Sequence, residues 1–412
     1  MKRTDIEIMA PVGSYESLRA AIAAGANSVY FGIGQLNMRS ASAANFTADD
    51  MAEINRIAHE NGVKTYLTVN TIIYDTELSL MHSVVDRAKA EGVDAIIASD
   101  MSVILYAYQV GVEVHISTQC NISNSEAVKF YSQWADVVVL ARELSLEQIA
   151  MVHKAIIEQD IRGPKGELVK IEMFSHGALC MSISGKCYLS EHETACSANR
   201  GACRQICRRK YTITDKDSGQ QLDIDGQYVL SPKDLCTIDF LDTFINAGVR
   251  VLKIEGRARG GEYVKRVVES YDAALKLLEA GEFNEESVAP LKQKLRTVFN
   301  RDFWGGYYAA KTMVEHSQHY GSSATLKKVY MGKVTNYFKR IGVAEVLVEA
   351  CEVHEGDALL FMGEKTGVVE QNADGIMVKE LPAQSAKQGD YMSLKTVSEV
   401  RRGDKVYKEV PR

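Results

Sequence analysis

Short apolar runs rich in β-branched residues alternate with longer amphipathic segments through the first half of the chain. The apolar runs fit strands that are buried on both faces, and the longer segments repeat apolar residues at helical spacing. Eight runs fit strands: IEIMAPV, SVYFGIG, KTYLTVN, DAIIAS, EVHISTQ, DVVVLA, KIEMFSH and VLKIEGR. Gly25, Gly62, Gly92 and Gly248 each follow a helical segment, in the position where glycine commonly ends a helix.

This alternation predicts an α/β fold, and eight strands favour a (β/α)₈ barrel of the TIM type. A doubly wound sheet is the alternative, since it also alternates strands with helices. Two observations favour the barrel: the number of strands reaches eight, and no G-x-G-x-x-G motif opens the first helix.

The seventh and eighth predicted strands are separated by an insertion that spans about residues 177–250. The seventh strand ends near His176 and the eighth begins near Val251, so the connection is far longer than the usual link between a strand and a helix. Long insertions of this kind are commonly functional, and in a barrel the loops after the strands build the active site. We therefore expect the insertion to cover the C-terminal mouth of the barrel.

The composition changes near residue 325, after two further helical segments. From there short strand-like runs follow one another: YMGKVTNYF, VAEVLVEA, DALLFMGE, TGVVEQ, GIMVKEL and YMSLKTV. Many short strands with turns between them are typical of a small β-barrel. The predicted organisation is therefore a barrel domain over residues 1–324 and a small accessory β-barrel domain over residues 325–412.

The overall composition is that of a globular protein, because 46% of the 412 residues are hydrophobic and 25% are charged. No apolar run approaches the length of a membrane span, and residues 1–14 lack the features of a signal peptide. We therefore expect a cytoplasmic protein without a membrane partner. The net charge of −6 argues against a broadly basic surface for nucleic acid, but it leaves room for a local basic groove.

Six of the eight cysteines fall within the insertion: Cys180, Cys187, Cys196, Cys203, Cys207 and Cys236. In a reducing compartment, clustered thiols are more often metal ligands or catalytic groups than disulfides. The close pairs at positions 180 and 187 and at positions 203 and 207 suit zinc or an iron–sulfur cluster. Their spacing matches neither a zinc knuckle nor a ferredoxin, so it leaves the metal open, and buried free thiols are the alternative. Cys196 and Cys236 are alternative ligands, whereas the isolated Cys120 and Cys351 fit the core.

Polar residues at the ends of several predicted strands would face the barrel mouth. Alternation along KIEMFSH places Glu172, Phe174 and His176 on one side of the strand. If that side faces inward, Glu172 and His176 share the site as an acid–base pair, while a structural histidine is the alternative. Further candidates lie at the ends of other strands: Arg39, Asn70, His115, Gln119, Lys253, Glu255 and Arg257.

The segment EMFSHGALCMSISGKCYLS, from Glu172 to Ser190, resembles the signature of the peptidase U32 family, whose members are often labelled collagenase-like. The similarity extends through APVGSYESLRAAIAAGANSVYFG, HISTQCNISN, SPKDL and VLKIEGRAR, so it covers the barrel nearly end to end. The C-terminal β-domain also resembles the small barrel appended in this family. Despite the label, the resemblance implies oxygen-independent hydroxylation, either of the tRNA wobble uridine, of a ribosomal RNA cytidine or of the ubiquinone ring.

The chain length and the cysteine pair in GACRQIC look most similar to the tRNA group of this family. The resemblance implies a [4Fe–4S] cluster, with zinc as the alternative metal. It implies as ligands Cys180, Cys187, Cys203 and Cys207. It also implies prephenate as co-substrate, tRNA as the RNA partner and, as in some relatives, a second U32-family subunit.

Hydroxylation of a pyrimidine carbon is an oxidation, and ordinary side chains need a redox cofactor for it. Acid–base work beside the cluster would fall to Glu172, His176, Lys253 and Glu255. Prephenate carries two carboxylates, so its site would need arginine or lysine side chains. The candidates for binding prephenate or RNA phosphates are Arg39, Arg204, Arg208 and Arg257, beside Asn70, His115 and Gln119. For the basic run at positions 208–210, a solvated loop is the alternative.

Two other classes of function are compatible with the sequence. The first is a peptidase, as the family label says, although the chain contains no HExxH or GxSxG motif and offers only a Cys180–His176 pair. The second is a non-catalytic RNA-binding module in which zinc holds the insertion in place. We expect an RNA hydroxylase because the cysteine quartet and the family resemblance agree.

Overall fold

The computed structural model describes residues 2–41, 46–222, 230–309 and 314–412. Before position 310 the described residues form the strands β1 (Glu7–Pro11), β2 (Ser28–Phe31), β3 (Lys64–Val69), β4 (Ala95–Ala98), β5 (Glu113–Ile116), β6 (Val137–Val139), β7 (Lys170–Gly177), β8 (Ile213–Thr214), β9 (Gln221–Leu222), β10 (Asp234–Cys236), β11 (Val249–Ile254) and β12 (Phe303–Trp304). The helices are α1 (Tyr15–Ala23), α2 (Met51–His59), α3 (Leu78–Ala90), α4 (Met101–Val110), α5 (Ser125–Tyr131), α6 (Leu146–Glu158), α7 (Leu189–Thr194), α8 (Leu241–Asn246), α9 (Gly261–Ala280) and α10 (Glu285–Arg296).

Eight parallel strands close into a barrel. The strands β1 to β7 pair in chain order, and β11 then pairs with both β7 and β1. Across the closing pair, Met9 of β1 lies opposite Lys253 of β11. The predicted (β/α)₈ barrel is therefore confirmed, and each of the eight predicted runs supplies one of its strands.

The barrel strands bury side chains on both faces, as their apolar sequences predict. Residues such as Ile8, Phe31 and Leu67 belong to the main core, which the strands share with the surrounding helices. A smaller cluster of buried apolar residues fills the interior of the barrel: Met9, Tyr30, Tyr66, Ala95, Ile97, Val137 and Val251. The interior also holds charged groups, which are described with the site.

The ends of the first helix follow the expected local chemistry. The hydroxyl of Ser14 accepts a hydrogen bond from the backbone N–H of Ser17, which satisfies one of the free donors at the start of α1. Gly25 follows the helix with a φ of 92°, a conformation that favours glycine. Among the described residues, no helix combines the length and the apolar character needed to cross a membrane.

The insertion between β7 and β11 contains α7, the short β8–β9 hairpin and α8. It also contributes β10, which runs antiparallel to the end of β7, with Leu235 opposite Gly177. The strand β12 then pairs with β10. The periodicity of the sequence did not indicate β10 or β12, which extend the sheet beside the barrel mouth.

The described residues from position 326 onward form the strands β13 (Leu326–Phe338), β14 (Val343–Val348), β15 (Val353–His354), β16 (Ala358–Gly363), β17 (Gly367–Asn372), β18 (Met377–Val378), β19 (Leu381–Pro382), β20 (Ser385–Ala386), β21 (Tyr391–Lys395) and β22 (Lys405–Pro411). Eight of them make an antiparallel sheet in the order β17-β16-β22-β13-β14-β21-β18-β19. This region has its own apolar core, which includes Val346, Phe361 and Met392. The expected second β region is thus present.

The C-terminal sheet packs on the helices α1 and α9. Ala20 of α1 is buried in an apolar cluster with Leu360, Met362 and Val368. These two helices follow β1 and β11, the strands that close the barrel.

An ionic contact reinforces this packing. Arg266 of α9 is nearly buried and donates hydrogen bonds to Glu370 at 2.9 Å and to Glu409 at 2.6 Å. Thr297 accepts a third hydrogen bond from the same guanidinium at 2.9 Å. Burial lowers the pKa of Arg266, but the two carboxylates outweigh burial and the net shift is upward.

Candidate functional site

A cavity of about 260 Å³ lies at the C-terminal ends of the barrel strands. Tyr30, Thr68, Phe174 and Lys253 line it from β2, β3, β7 and β11. The insertion supplies much of the remaining wall, between positions 178 and 208. The insertion therefore covers the barrel mouth, as its length and position predicted.

Four cysteines line this cavity: Cys180, Cys187, Cys203 and Cys207. They come from two separate stretches of the insertion, and all eight cysteines of the chain are free thiols. Burial raises the pKa of the Cys187 and Cys207 thiols, and the nearby sulfur atoms of the same set contribute in the same direction. Folding thus places the four predicted ligand cysteines around the same cavity.

The two alternative ligands lie elsewhere. The thiol of Cys196 is 3.8 Å from Nη2 of Arg204, and this hydrogen bond lowers its pKa. Cys236 is buried in the main core, where burial raises its pKa to about 12. Neither lines the cavity. Cys120 packs against the main core and Cys351 against the C-terminal core, as predicted.

The donor set of the cavity fits an iron–sulfur cluster by its chemistry, because thiolates are the usual ligands of [4Fe–4S] clusters. Each cysteine of such a cluster binds a different iron atom, so its ligands need not be as close together as the ligands of a single ion. Among the described residues, no three His, Cys, Asp or Glu side chains stand close enough to share one metal ion. The thiols thus match the cluster in ligand type, and all four line the same cavity.

Contacts with the barrel and within the insertion hold the cysteine-bearing chain in place. Arg200 forms an ion pair with Glu77 in the loop before α3. Arg208, predicted to bind substrate, lines the cavity but donates to the carbonyl oxygen of Leu179 at 2.6 Å and to the Ser231 hydroxyl at 3.0 Å. Burial lowers the pKa of Arg208. Its observed contacts therefore position the insertion.

Two arginines flank Glu255 at the cavity. Arg39 donates to Oε1 of Glu255 from Nε at 3.2 Å and from Nη2 at 2.6 Å. Arg257 donates from Nη1 to Thr68 at 2.9 Å and to Asn37 at 3.2 Å, and burial lowers its pKa to about 10. Burial alone would raise the pKa of Glu255, but the two guanidinium charges outweigh it and lower that pKa. This edge of the cavity therefore carries a net positive charge.

Lys253 and Glu172 form a buried ion pair, with Nζ 2.6 Å from Oε1. The ammonium also lies 4.8 Å from the centre of the Tyr30 ring and 5.6 Å from that of Phe174. Lys253 lines the cavity, whereas Glu172 is fully buried and does not. The carboxylate therefore fixes the position of a cation that the cavity can use.

Amide side chains complete the rim of the cavity. Asn70 accepts a hydrogen bond from the backbone N–H of Met38 at 3.2 Å, and its Nδ2 donates to Ser117 and Gln119 at 3.3 Å. Gln119 also accepts from the Ser117 hydroxyl. Asn70 and Gln119, both predicted from the sequence, thus line the cavity in fixed orientations.

The prediction that Glu172 and His176 share one face of β7 is wrong. A register shift in the pairing of β7 with β11 breaks the alternation at Ser175. The His176 ring lies instead 5.8 Å from the ring of Tyr271 and 6.0 Å from that of Tyr263, between ring centres, and it does not line the cavity. Burial lowers the pKa of His176 to about 3, so the imidazole is neutral at neutral pH.

Two predicted substrate-binding residues also lie off the cavity. His115 belongs to the body of β5 rather than to the loop after it, and its Nε2 is 3.4 Å from Oε1 of Glu113 inside the barrel. Arg204 turns its guanidinium towards Cys196, while its backbone N–H donates to Ser190. The prediction that His115 and Arg204 bind a ligand in the cavity is therefore not supported by their positions.

Sequence reasoning missed three arginines that line the cavity, Arg142, Arg259 and Arg301. Arg142 follows β6 and donates to the Ser184 hydroxyl at 2.6 Å, while its Nε is buried without a hydrogen-bond partner. The signal that singled out Arg39, a cation shortly after a barrel strand, would also have found Arg142. Arg301 follows α10, and only the packing of the chain brings it to the cavity.

Comparisons with known proteins give two kinds of relatives. The model of peptidase family U32 matches residues 13–318. A collagenase of Porphyromonas gingivalis is 54% identical over 408 residues, which cover 99% of each chain. A tRNA hydroxylation protein of Bacillus subtilis is 34% identical over 342 residues, which cover 80% of this chain and 77% of the relative. The 23S rRNA 5-hydroxycytidine synthase of Escherichia coli is 39% identical over 267 residues, which cover 65% of this chain and 38% of the relative.

Proposed function

Because the chain belongs to peptidase family U32, we propose that it is an RNA-modifying enzyme that hydroxylates the wobble uridine of tRNA to 5-hydroxyuridine without oxygen. The name of the Bacillus subtilis relative supports tRNA as the substrate. The name of the Escherichia coli relative supports hydroxylation of a pyrimidine, with ribosomal RNA as the alternative substrate. A second U32-family subunit and a cytoplasmic location stay predictions from the sequence.

One observation carries the proposal: four thiols and a set of cations line the same cavity at the barrel mouth. Hydroxylation of a pyrimidine carbon needs a redox cofactor, and the thiols are suited to hold a [4Fe–4S] cluster. Its ligands would be Cys180, Cys187, Cys203 and Cys207. When bound, the cluster would supply electron-transfer chemistry that the side chains lack.

Prephenate as co-substrate is supported by the charges of the cavity. Arg257 and Lys253 offer positive groups for its two carboxylates. The Nε of Arg142 is a buried donor without a partner, and a bound carboxylate would satisfy it. Tyr30 and Phe174 provide apolar surface for the ring of the ligand.

The remaining roles fall to groups that exchange protons or orient the ligand. Lys253 is held by Glu172 at the cavity and is the proton donor to bound ligand. Glu255 is kept ionised by Arg39 and Arg257, so it orients these cations towards the ligand. His176, although predicted as a catalytic residue, has no role in this proposal because it lies away from the cavity.

Nucleoside analysis of tRNA tests the proposed function. A strain that lacks the gene is complemented with the wild type, with Cys187→Ser or with Cys196→Ser, and 5-hydroxyuridine is measured by mass spectrometry. We expect the wild type and Cys196→Ser to restore the modified nucleoside and Cys187→Ser to fail. Cys196 is the matched control, because it lies in the same insertion but off the cavity. An unchanged nucleoside profile after deletion would overturn the assignment to tRNA.

Metal analysis tests the cofactor separately. The protein is purified without oxygen, and iron, acid-labile sulfide and zinc are quantified in the wild type and in the same two variants. Iron and sulfide that are lost in Cys187→Ser and kept in Cys196→Ser support the cluster. A wild-type protein that contains zinc and no iron would contradict the cluster and favour the structural zinc ion that the sequence also allows.

A peptidase is the second candidate, favoured by the names of two relatives from Porphyromonas gingivalis at 54% and 47% identity. Cys180 lines the cavity but His176 does not, so the one Cys–His pair proposed from the sequence lacks a shared site. Cleavage of gelatin or casein by the purified protein, abolished by a thiol blocker, would favour the peptidase. Absence of cleavage together with tRNA modification would exclude it as the main activity.

A further inference from the structure

A file of charged and polar side chains crosses the barrel interior below the cavity. Barrel interiors are normally filled by branched apolar residues, and burying charge there is unfavourable unless each charge is paired. The file begins with Lys253, whose Nζ is 2.6 Å from Oε1 of Glu172. The imidazole of His115 follows, with Nδ1 3.9 Å from Oε2 of Glu172. On the other side of the ring, Nε2 lies 3.4 Å from Oε1 of Glu113.

The file reaches solvent at the opposite end of the barrel from the cavity. Glu113 is the first residue of β5, so it lies at the N-terminal mouth. It forms an ion pair with Lys165, whose side chain is 60% exposed. Burial opposes ionisation of Glu113, but its contacts with His115 and Lys165 outweigh burial and lower its pKa to about 2. The imidazole therefore has an ionised, partly solvated carboxylate on one side.

Two buried atoms in the middle of the file have no hydrogen-bond partner, Nδ1 of His115 and Oε2 of Glu172. They are 3.9 Å apart, slightly beyond hydrogen-bonding distance. Buried polar atoms without a partner are uncommon in folded proteins, and each one needs an explanation. A proton on either atom would turn this gap into a hydrogen bond after a small rotation of a side chain.

The third titratable neighbour of His115 does not compete for that proton. The ring of Tyr66 lies 4.5 Å from the imidazole, between ring centres, and its hydroxyl donates to Glu7 at 2.8 Å. Burial raises the pKa of Tyr66, and the nearby carboxylates raise it further, so the phenol stays protonated. The carboxylates that face the two ring nitrogens of His115 are therefore those of Glu113 and Glu172.

We propose that His115 relays protons between the two buried carboxylates Glu113 and Glu172. The ammonium of Lys253 gives a proton to the ligand in the cavity and becomes a neutral amine. The carboxylate of Glu172 then takes a proton from Nδ1 of His115 and passes it to this amine, while Nε2 of His115 receives a proton from the solvated side. One proton thus passes from the N-terminal mouth to the cavity, and only N–H and O–H bonds form and break. The relay rests on the proposed function only for the reaction that consumes the proton.

Exchange of the ring N–H hydrogens of His115 with solvent tests the relay without any RNA. NMR of protein labelled with ¹⁵N-histidine measures the exchange, and the signal missing in His115→Gln assigns it. We expect Glu113→Gln to slow this exchange by about 100-fold, because the solvent-side proton carrier is lost. Glu147→Gln, which changes an exposed carboxylate on α6, is the control and leaves the exchange rate unchanged. The same exchange rate in Glu113→Gln and the wild type would overturn the relay.

Steady-state kinetics of the enzyme with its cofactor bound provide a second test of the relay. Glutamine at position 115 keeps polar atoms but cannot shuttle a proton, so kcat is expected to fall about 100-fold with KM unchanged and with a flattened pH profile. His59→Gln is the matched control, since His59 also contacts a carboxylate, Asp94 at 2.8 Å, but on the outer surface. An unchanged kcat and pH profile in His115→Gln would overturn the relay. If the wild type modifies no RNA, the proposed function fails, and the exchange experiment still decides the relay.

Discussion

Lys253 and Glu172 face each other inside the barrel, with Nζ 2.6 Å from Oε1 and side-chain exposures of 6% and 0%. The two residues come from the neighbouring strands β11 and β7, so closure of the barrel itself creates the pair. The pair ties the geometry of the cavity to the stability of the fold, because a charge buried this deeply is costly without its partner.

Neutralisation of both members of this pair should cost less stability than the two single losses added together. Lys253→Met leaves the carboxylate buried without a cation, and the free energy of unfolding should fall by about 3–5 kcal/mol. The double variant Lys253→Met/Glu172→Gln should lose clearly less than the sum of the two single losses. Denaturant unfolding of the wild type and the three variants measures this coupling. Additive losses would show that the two charges do not interact.

The contact of Arg266 with the C-terminal sheet should be a main ionic contribution to docking. Arg266→Met leaves Glu370 and Glu409 without their nearly buried cation, and the free energy of unfolding should fall by about 3 kcal/mol. Arg56→Met is the control: its ion pairs lie on the exposed surface of α2, and we expect no measurable change. Calorimetry compares the two variants. An equal change in the free energy of unfolding for the two variants would refute the role of Arg266.

His176 should make the fold sensitive to mild acid. Its pKa is lowered to about 3 by burial, below the value of about 6.5 for an unfolded chain, so the unfolded state binds the proton first. Stability from this group is present above pH 6.5 and is lost as the pH falls towards 3. Between pH 7 and 5 the wild type should lose about 2 kcal/mol more than His176→Phe. Chemical unfolding at both pH values gives the difference, and parallel curves for the two proteins would contradict it.

Gly201 should hold the insertion against the barrel. It has a φ of 81°, and a Cβ there would collide with the carbonyl oxygen of Asn37 and the hydroxyl of Ser40. Gly219 in the same insertion has a φ of 70° but open space around it, so Gly219→Ala carries only the backbone strain of about 1–2 kcal/mol. Limited proteolysis should therefore cut the insertion faster in Gly201→Ala than in Gly219→Ala. Equal rates would mean that the close approach at Gly201 is not needed.

The barrel could be predicted from the sequence because its signal is periodic and local. The eight parallel strands are mostly apolar, and they alternate with helices whose ends carry local signals such as those at Ser14 and Gly25. The cysteine quartet could be found because its members are close in the chain. Lys253 and Glu255 could be found because barrel sites lie at the ends of strands.

The missed features depend on geometry that spacing in the chain does not record. The register shift at Ser175 follows from the pairing of β7 with β11, and it turns His176 away from the cavity. The strand β10 has only three residues, and it is defined by its pairing with His176 and Gly177 at the end of β7. Arg301 follows α9 and α10 in the chain, and no local pattern indicates that it lines the cavity.

A ring of strands laid down in chain order has one joint where its first and last members meet, here between β1 and β11. The C-terminal sheet rests on the helices that leave both sides of that joint, so it works as a clasp across the seam of the ring. On heating, the contacts between the C-terminal sheet and the two helices would have to break before β1 and β11 could separate. Barrel and sheet should therefore melt as a single cooperative unit, and a chain cut short before the sheet would begin to unravel at its seam.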